Sequence, residues 1–225
     1  GNVINNSQLT FDRSNALTVS NTISGTGNLA QAGSGTTTLT GSNTFTGATT
    51  ISAGTLQVGD GSTTGNLGSG NVINNSQLTF DRSNALTVDN DISGTGSLTQ
   101  AGSGTTTLTG SNTYSGTTTV AAGTLQIGDG NTSGNLGTGA VINNASLTLN
   151  RSDAITVNND ISGSGALTQA GSGTTILTGS NIYTGANTIS AGTLQVGDGS
   201  TTGNLGSGNV INNSQLTFDR SNALT

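Results

Sequence analysis

The chain contains no Cys, Met, Trp, Pro or His, and its cations are four Arg with no Lys. Its ten anions are all Asp, so Glu is absent too. These gaps remove the commonest general bases, thiol nucleophiles, zinc ligands and Schiff-base amines. Charged residues are 6% of the 225, against about 25% in an ordinary globular domain. A net charge of −6 with four Arg cannot build the basic footprint that nucleic-acid binding needs. No run approaches the ~20 apolar residues of a membrane helix, so no membrane insertion by this segment is expected. The first residue is Gly; the expectation is an excised or processed piece with no signal peptide. Absent Cys is compatible with secretion without a disulfide framework.

Low hydrophobicity, at 29%, raises the question of disorder. Disordered chains pair it with high net charge, Pro, Lys and Glu. Here those are scarce or absent, and Thr, Val, Ile and Leu recur in ordered patterns.

What is present is a repeat. GNVINNSQLTFDRSNALT at 1–18 returns unchanged at 70–87 and 208–225, and GAVINNASLTLNRSDAIT begins at Gly139. The period is 69 residues without insertion or deletion, giving repeats 1–69, 70–138 and 139–207 and a partial repeat 208–225. A period of this kind marks one continuous array of mutually supporting units.

Each repeat is a string of short alternating runs bounded by Gly, Asn, Ser or Asp. In the second copy they are SQLTF, ALTV, DISG, SLTQ, TTTLTG, NTYSG, TTTVAAG, GTLQIG and GNLG. These are strand-sized and rich in Thr and branched aliphatics. No window has helical periodicity, and 37 Gly would penalise any helix. Nine runs per period, three to a triangular coil, predict a coil of about 23 residues and about three coils per repeat. The fold class is all-β, a parallel β-helix or β-solenoid. Leu39, Phe45, Ile51, Leu56 and Val58 are expected inside, and Gly and Asn at corners are expected to take positive φ. Some ten coils at about 4.8 Å make a rod of roughly 50 Å.

No atypical capping unit stands at either end of the sequence. The expectation is either a slice of a longer array or head-to-tail self-association through uncapped ends.

The segment Gly102–Gly130, GSGTTTLTGSNTYSGTTTVAAGTLQIGDG, resembles the autotransporter passenger-associated strand repeat of bacterial surface proteins. That family's pattern is close to G-x-G-T-L-x-L-x-G-x-N-T-Y-x-G-x-T-x-I-x-x-G-x-L. Gly104, Leu108, Gly110, Asn112, Thr113, Tyr114, Gly116, Thr118, Val120, Gly123 and Leu125 fall on it. The first copy has Phe45 at the aromatic position; the third has Tyr183, with Ile182 where the family prefers Thr. The resemblance implies a right-handed β-helical stalk on a bacterial cell surface, outer-membrane-associated or secreted, of the adhesin type. It also implies partners such as like stalks or surface glycans.

Three chemistries are weighed against plain structure. The GDG corners hold Asp60, Asp129 and Asp198, but carboxylates a full period apart cannot share a calcium ion, so a solvated turn is expected. Asp12–Arg13, Asp81–Arg82 and Asp219–Arg220, with Asn150–Arg151 in the third copy, are expected as turn or rim features. Adjacent residues on a strand point to opposite faces. Asp89 and Asp91, where the first copy has Ser20 and Thr22, could do acid–base work on a sugar but are better read as solvated edge charges. Thr36–Thr38, Thr105–Thr107 and Thr117–Thr119 could form ice-binding hydroxyl ladders, yet Thr is also an ordinary strand former.

The interchange of Phe11, Phe80 and Phe218 with Leu149 suggests a buried slot. Phe45, Tyr114 and Tyr183 suggest core rings with an edge near solvent, where a glycan-stacking platform is the rival reading. Asn5–Asn6 and their equivalents are expected to stack as an amide ladder. No catalytic, metal or cofactor-binding residue is assigned, and the ligand-binding residues are unknown. The function expected is a non-enzymatic structural solenoid, a stalk or fibre segment serving adhesion, aggregation or filament formation. A lateral-face binding module comes second and a glycan-active enzyme third.

Overall fold

Outward Thr, Ser or Gln alternating with inward Leu, Ile or Val is the pattern of a strand with one buried face. The described residues repeat it in 26 strands of two to four residues. The computed structural model describes residues 1–222. The last three residues of the partial repeat, 223–225, lie outside the described residues. Strands pair in parallel with those one coil earlier and later. The result is the expected β-solenoid.

Three faces emerge from the register. On one, Leu17, Thr37, Leu56, Leu78, Leu98, Thr118, Val141 and Ile161 stand one above another. Seven steps lead from Leu17 to Ile161, so a coil averages roughly 21 residues around its three sides. The tightest step joins Thr37 to Leu56 and the widest joins Thr118 to Val141. The coil is thus shorter, on average, than counting runs suggests.

The run count explains the difference. NTYSG and GNLG form no strand, and Val72–Asn74, left out of the nine, does. The irregular stretches still stack. Thr44 donates its backbone N–H to Ile23 in the coil below, and Ser69 donates to Phe45.

Repeat and coil are therefore out of step. Val3 pairs with Ile23 on the first face, whereas its equivalent Val72 lies between Thr49 and Ile92 on the second. Val141 lies between Thr118 and Ile161 on the third, and Val210 pairs with Asn187 on the first again. Each repeat covers three and a third coils and turns its contents by a third of a revolution. Three full repeats close on ten coils, a rise of about 48 Å.

This offset corrects the amide-ladder expectation. Asn5, Asn74 and Asn143 point inward on three different faces, so they cannot stack on one another. Each instead donates from Nδ2 to a carbonyl in the next coil, on Asn28, Ser97 and Ala166 at 2.8, 2.9 and 2.8 Å. Positive φ is likewise confined to Gly among the described residues; no Asn adopts it.

The core is one thin continuous column. Leu39, Phe45, Ile51, Leu56 and Val58 are fully buried, and so are Phe80 and Leu149 in the shared slot. The rings of Phe45, Tyr114 and Tyr183 are each 0% exposed, which overturns the expectation of an edge near solvent. Only the hydroxyl needs a partner, and the fold provides one internally. Tyr114 Oη lies 2.8 Å from Thr118 Oγ1, and Tyr183 Oη donates to Asn187 Oδ1.

Asn187 replaces a Thr found at 49 and 118, and its buried Nδ2 has no hydrogen-bond partner. An orphaned buried donor costs about 1–3 kcal/mol. Asn187→Thr is expected to stabilise the fold by about 1 kcal/mol, read as a higher urea midpoint at unchanged m. Burial also raises both tyrosine pKa values, that of Tyr183 to about 12. A raised folded-state value means stability is intact below the unfolded pKa of about 10 and is lost as pH climbs from there toward 12. The sequence has no side chain whose ordinary pKa lies between about 4 and 10. Stability is expected to be flat from about pH 6 to 9 and to fall above 10. Phenolate absorbance should then rise together with loss of β circular dichroism rather than before it.

Candidate functional site

The largest departure from a smooth three-sided rod among the described residues is one loop per repeat. After Val58 the chain leaves the coil at Gly59 and returns at Gly65, an excursion that accounts for the long coil. A Cβ on Gly65 would lie 2.7 Å from the Gly59 nitrogen, so the two ends touch. Gly59, Gly61 and Gly65 have φ of 86°, 86° and 101°, which other L residues resist.

Arg82, from the following coil, latches this loop. Its Nη1 donates to Gly65 O at 2.7 Å, its Nη2 to Thr63 O at 2.6 Å, and its Nε to Asn84 Oδ1 at 3.0 Å. Arg151 repeats the latch on Gly134 and Thr132, and Arg220 on Gly203 and Thr201. Arg151 adds an ion pair to Asp153 at 2.7 Å. The Arg of Asp81–Arg82, Asn150–Arg151 and Asp219–Arg220 is thus a rim feature bound to loop carbonyls, whereas Arg13, among the described residues, bonds only Asn15 Oδ1 at 3.0 Å. Asp81 turns instead to Gln57 Nε2 at 3.3 Å.

The GDG carboxylates close their own turns. Asp60 Oδ1 accepts from Ser62 Oγ at 2.5 Å and from Ser62 N at 3.2 Å. Asp198 does the same with Ser200, and these hydrogen bonds hold both carboxyls below the ordinary Asp pKa. Among the described residues no cluster of three or more Asp could hold a metal ion. Asp91 and Asp89 do not form a pair at a cleft floor. Asp91 Oδ1 caps the backbone N–H of Ser111 at 2.7 Å, and Asp89 is exposed.

Below the latched loop runs a groove of about 610 Å³, lined by Thr63, Arg82, Leu86, Asp89 and Asn90 among others. A groove of about 410 Å³ recurs at Thr201 and Arg220, two repeats on and therefore on another face. Neither offers an aromatic ring, because the motif rings are buried. The guanidinium of Arg82 is turned to the loop carbonyls. The first groove mixes hydroxyls and amides with the aliphatic side chains of Leu67, Leu86 and Val88 and the carboxylate of Asp89.

Sequence reasoning missed the amides that hold the irregular stretches. Asn43 and Asn66 stack in consecutive coils, each Nδ2 donating to the other's backbone carbonyl at 2.8 and 2.9 Å. Asn43 Oδ1 accepts from Ile23 N at 2.9 Å. Asn112 with Asn135 and Asn181 with Asn204 form the same pair. Asn90 donates to Gly68 O and Gly70 O at 2.8 and 2.7 Å. A signal was available: Asn21, Asn90 and Asn159 are identical while both neighbours vary (Ser20/Asp89/Asn158 and Thr22/Asp91/Asp160).

Arg82→Ala removes two charge-assisted bonds and frees the loop. It is expected to cost about 1–2 kcal/mol and to raise amide exchange and protease cleavage selectively in 59–65. An unchanged exchange pattern would contradict the latch.

Comparison with known proteins places these elements. The passenger-associated-transport-repeat family matches at residues 29–58, 98–127 and 167–196, each stretch running from one buried Leu to a Val or Ile and including the Asn–aromatic segment. The adhesin BmaC autotransporter of Brucella suis biovar 1 (strain 1330) is 51% identical over 49 residues. That segment covers 22% of this chain, and the chain spans about 1% of the relative's length. No solved structure matches. The chain is a tandem array in which one segment of each 69-residue period matches the passenger-associated-transport-repeat family.

Proposed function

We propose that the chain is a non-enzymatic, extracellular rod segment of a bacterial surface passenger, supporting adhesion by extension and stiffness. The observation that carries this reading is the continuous stack of coils. Each coil hydrogen-bonds to the next on three faces, and every irregular stretch is stapled by side-chain amides or by a latching Arg. Bending such a rod requires breaking hydrogen bonds on a face rather than rotating about a hinge.

The family match and the adhesin name of the relative support a cell-surface or secreted setting. Catalysis has little to recommend it, since the candidate carboxylates of Asp60, Asp198 and Asp91 are spent on turns and backbone caps. Stacking of glycans on the motif rings is disfavoured because those rings are buried.

Small-angle scattering tests the reading. A single-chain particle is expected to fit a rod of about 50 Å length with the cross-section of one three-sided coil. Digestion by a broad-specificity protease such as proteinase K should leave the coils intact and cut first at 59–65, 128–134 or 197–203. A globular or flexible-chain scattering profile would exclude the rod.

A further inference from the structure

Three peptide bonds in the chain carry a reactivity that the others lack. Asp60–Gly61, Asp129–Gly130 and Asp198–Gly199 are its only Asp–Gly pairs, and no Asn precedes a Gly. The remaining Asp precede Arg, Asn, Ile or Ala. A backbone nitrogen that attacks the side-chain carboxyl of the preceding Asp closes a five-membered imide. Gly presents that nitrogen with no Cβ in the way. All three pairs lie in the loops that leave the coil, and both residues of each are exposed.

The folded loop withholds both reactants. Gly61 N–H donates to Asp81 O in the following coil at 2.8 Å. Gly130 N–H donates to Asn150 O and Gly199 N–H to Asp219 O, each also at 2.8 Å. A nitrogen held in this way is not free to lose its proton or to turn toward the neighbouring side chain. The carboxylates are held too. Ser62 and Ser200 donate to Asp60 and Asp198 from hydroxyl and N–H. Asn131 donates to Asp129 from its side-chain amide and N–H at 3.0 and 3.3 Å. The carboxyl that reacts is the neutral acid, and bonds donated to the anion disfavour it.

The Arg latch and the protection of the Gly nitrogen are built into one corner. In every loop the carbonyl that accepts from Gly belongs to the residue immediately before the latching Arg: Asp81 before Arg82, Asn150 before Arg151, Asp219 before Arg220. A loop that leaves its Arg leaves that carbonyl as well.

We propose that Asp60, Asp129 and Asp198 are latch-gated modification sites, which convert to isoaspartate when the Arg holding the loop lets go. The step needs no reactant besides water. With the loop open, Gly61 N bonds to Asp60 Cγ, and a carboxyl oxygen leaves as water with the carboxyl and amide protons. Water then opens the imide at the main-chain carbonyl and breaks its bond to Gly61 N. The chain now runs through Cβ and Cγ of residue 60, its composition unchanged and its backbone longer by a methylene. The longer loop no longer fits both the closure of Gly59 on Gly65 and the bond from Gly61 to Asp81, so each conversion leaves a loop open. This gating holds whatever surface the rod serves.

The test is incubation of the 225-residue chain and its Arg82→Ala, Arg151→Ala and Arg220→Ala variants at neutral pH in water labelled with heavy oxygen. Imide opening places a heavy oxygen atom at the affected residue, and electron-transfer fragmentation separates isoaspartate from Asp. Each variant is expected to convert about tenfold faster than wild type in the loop it frees, through a larger open fraction. The other two loops are expected to keep the wild-type rate. The affected residues are 60 for Arg82→Ala, 129 for Arg151→Ala and 198 for Arg220→Ala. Asp60→Glu added to Arg82→Ala is expected to erase the signal at 60, because a six-membered imide closes far more slowly. R82Q, R151Q and R220Q repeat the series should an Ala variant lose its β circular dichroism.

Wild-type loops that convert as fast as an unfolded peptide of residues 55–65 would overturn the proposal, since the fold then withholds nothing. So would loops that convert no faster without their Arg. A variant that speeds all three loops alike would assign the effect to global unfolding and overturn it equally.

Discussion

Every coil must meet the coil above and below with its backbone donors and acceptors at matching positions, and the rest of the structure follows from that demand. A parallel stack leaves a strand no partner except its vertical neighbours. Wherever the backbone departs from strand geometry, its polar groups need another source of hydrogen bonds. The two irregular stretches of each repeat find that source in side chains. Asn43 and Asn66 bond each other's carbonyls, and Asn90 bonds two carbonyls of the Gly68–Gly70 segment. Glycine matters for the same reason: a Cβ at Gly110 would collide with the carbonyl oxygen of Asn90 in the coil below.

The perimeter of the coil also sets how the repeat is displayed. At about 20.7 residues per coil, the 69-residue period is not a whole number of coils. A feature occurring once per repeat therefore winds around the rod instead of lining one side. The loop and its Arg latch appear on successive faces, and grooves accompany the first and third. No side collects these features, and each face is interrupted by them at a different height: one carries eight strands without a break, and the other two are divided into two and seven and into five and four.

Much of this was legible in the residues. The all-β solenoid, the buried Leu39, Ile51 and Leu56, the slot shared by Phe80 and Leu149, and the turn role of Asp60 all follow from alternation, punctuation and exchange between copies. The ring edges did not, because a Tyr hydroxyl predicts a wet edge unless an internal acceptor is known, and Thr118 and Asn187 are found only in three dimensions. The Asn5–Asn6 ladder failed for a related reason. Stacking requires like residues at like azimuth, and azimuth depends on coil length, which run counting overestimated by about two residues.

The sequence by itself determined the architecture, the 69-residue period, the confinement of charge to Asp and Arg, and the resemblance to passenger repeats, because these are matters of order and composition. Only the tertiary structure decided that a repeat spans three and a third coils, that Arg82 holds a loop instead of facing a ligand, and that no described strand carries a charge. Those depend on which residues meet after one circuit of a closed perimeter. A few loop residues, Gly59 to Gly65, set that spacing by leaving the coil and returning to it.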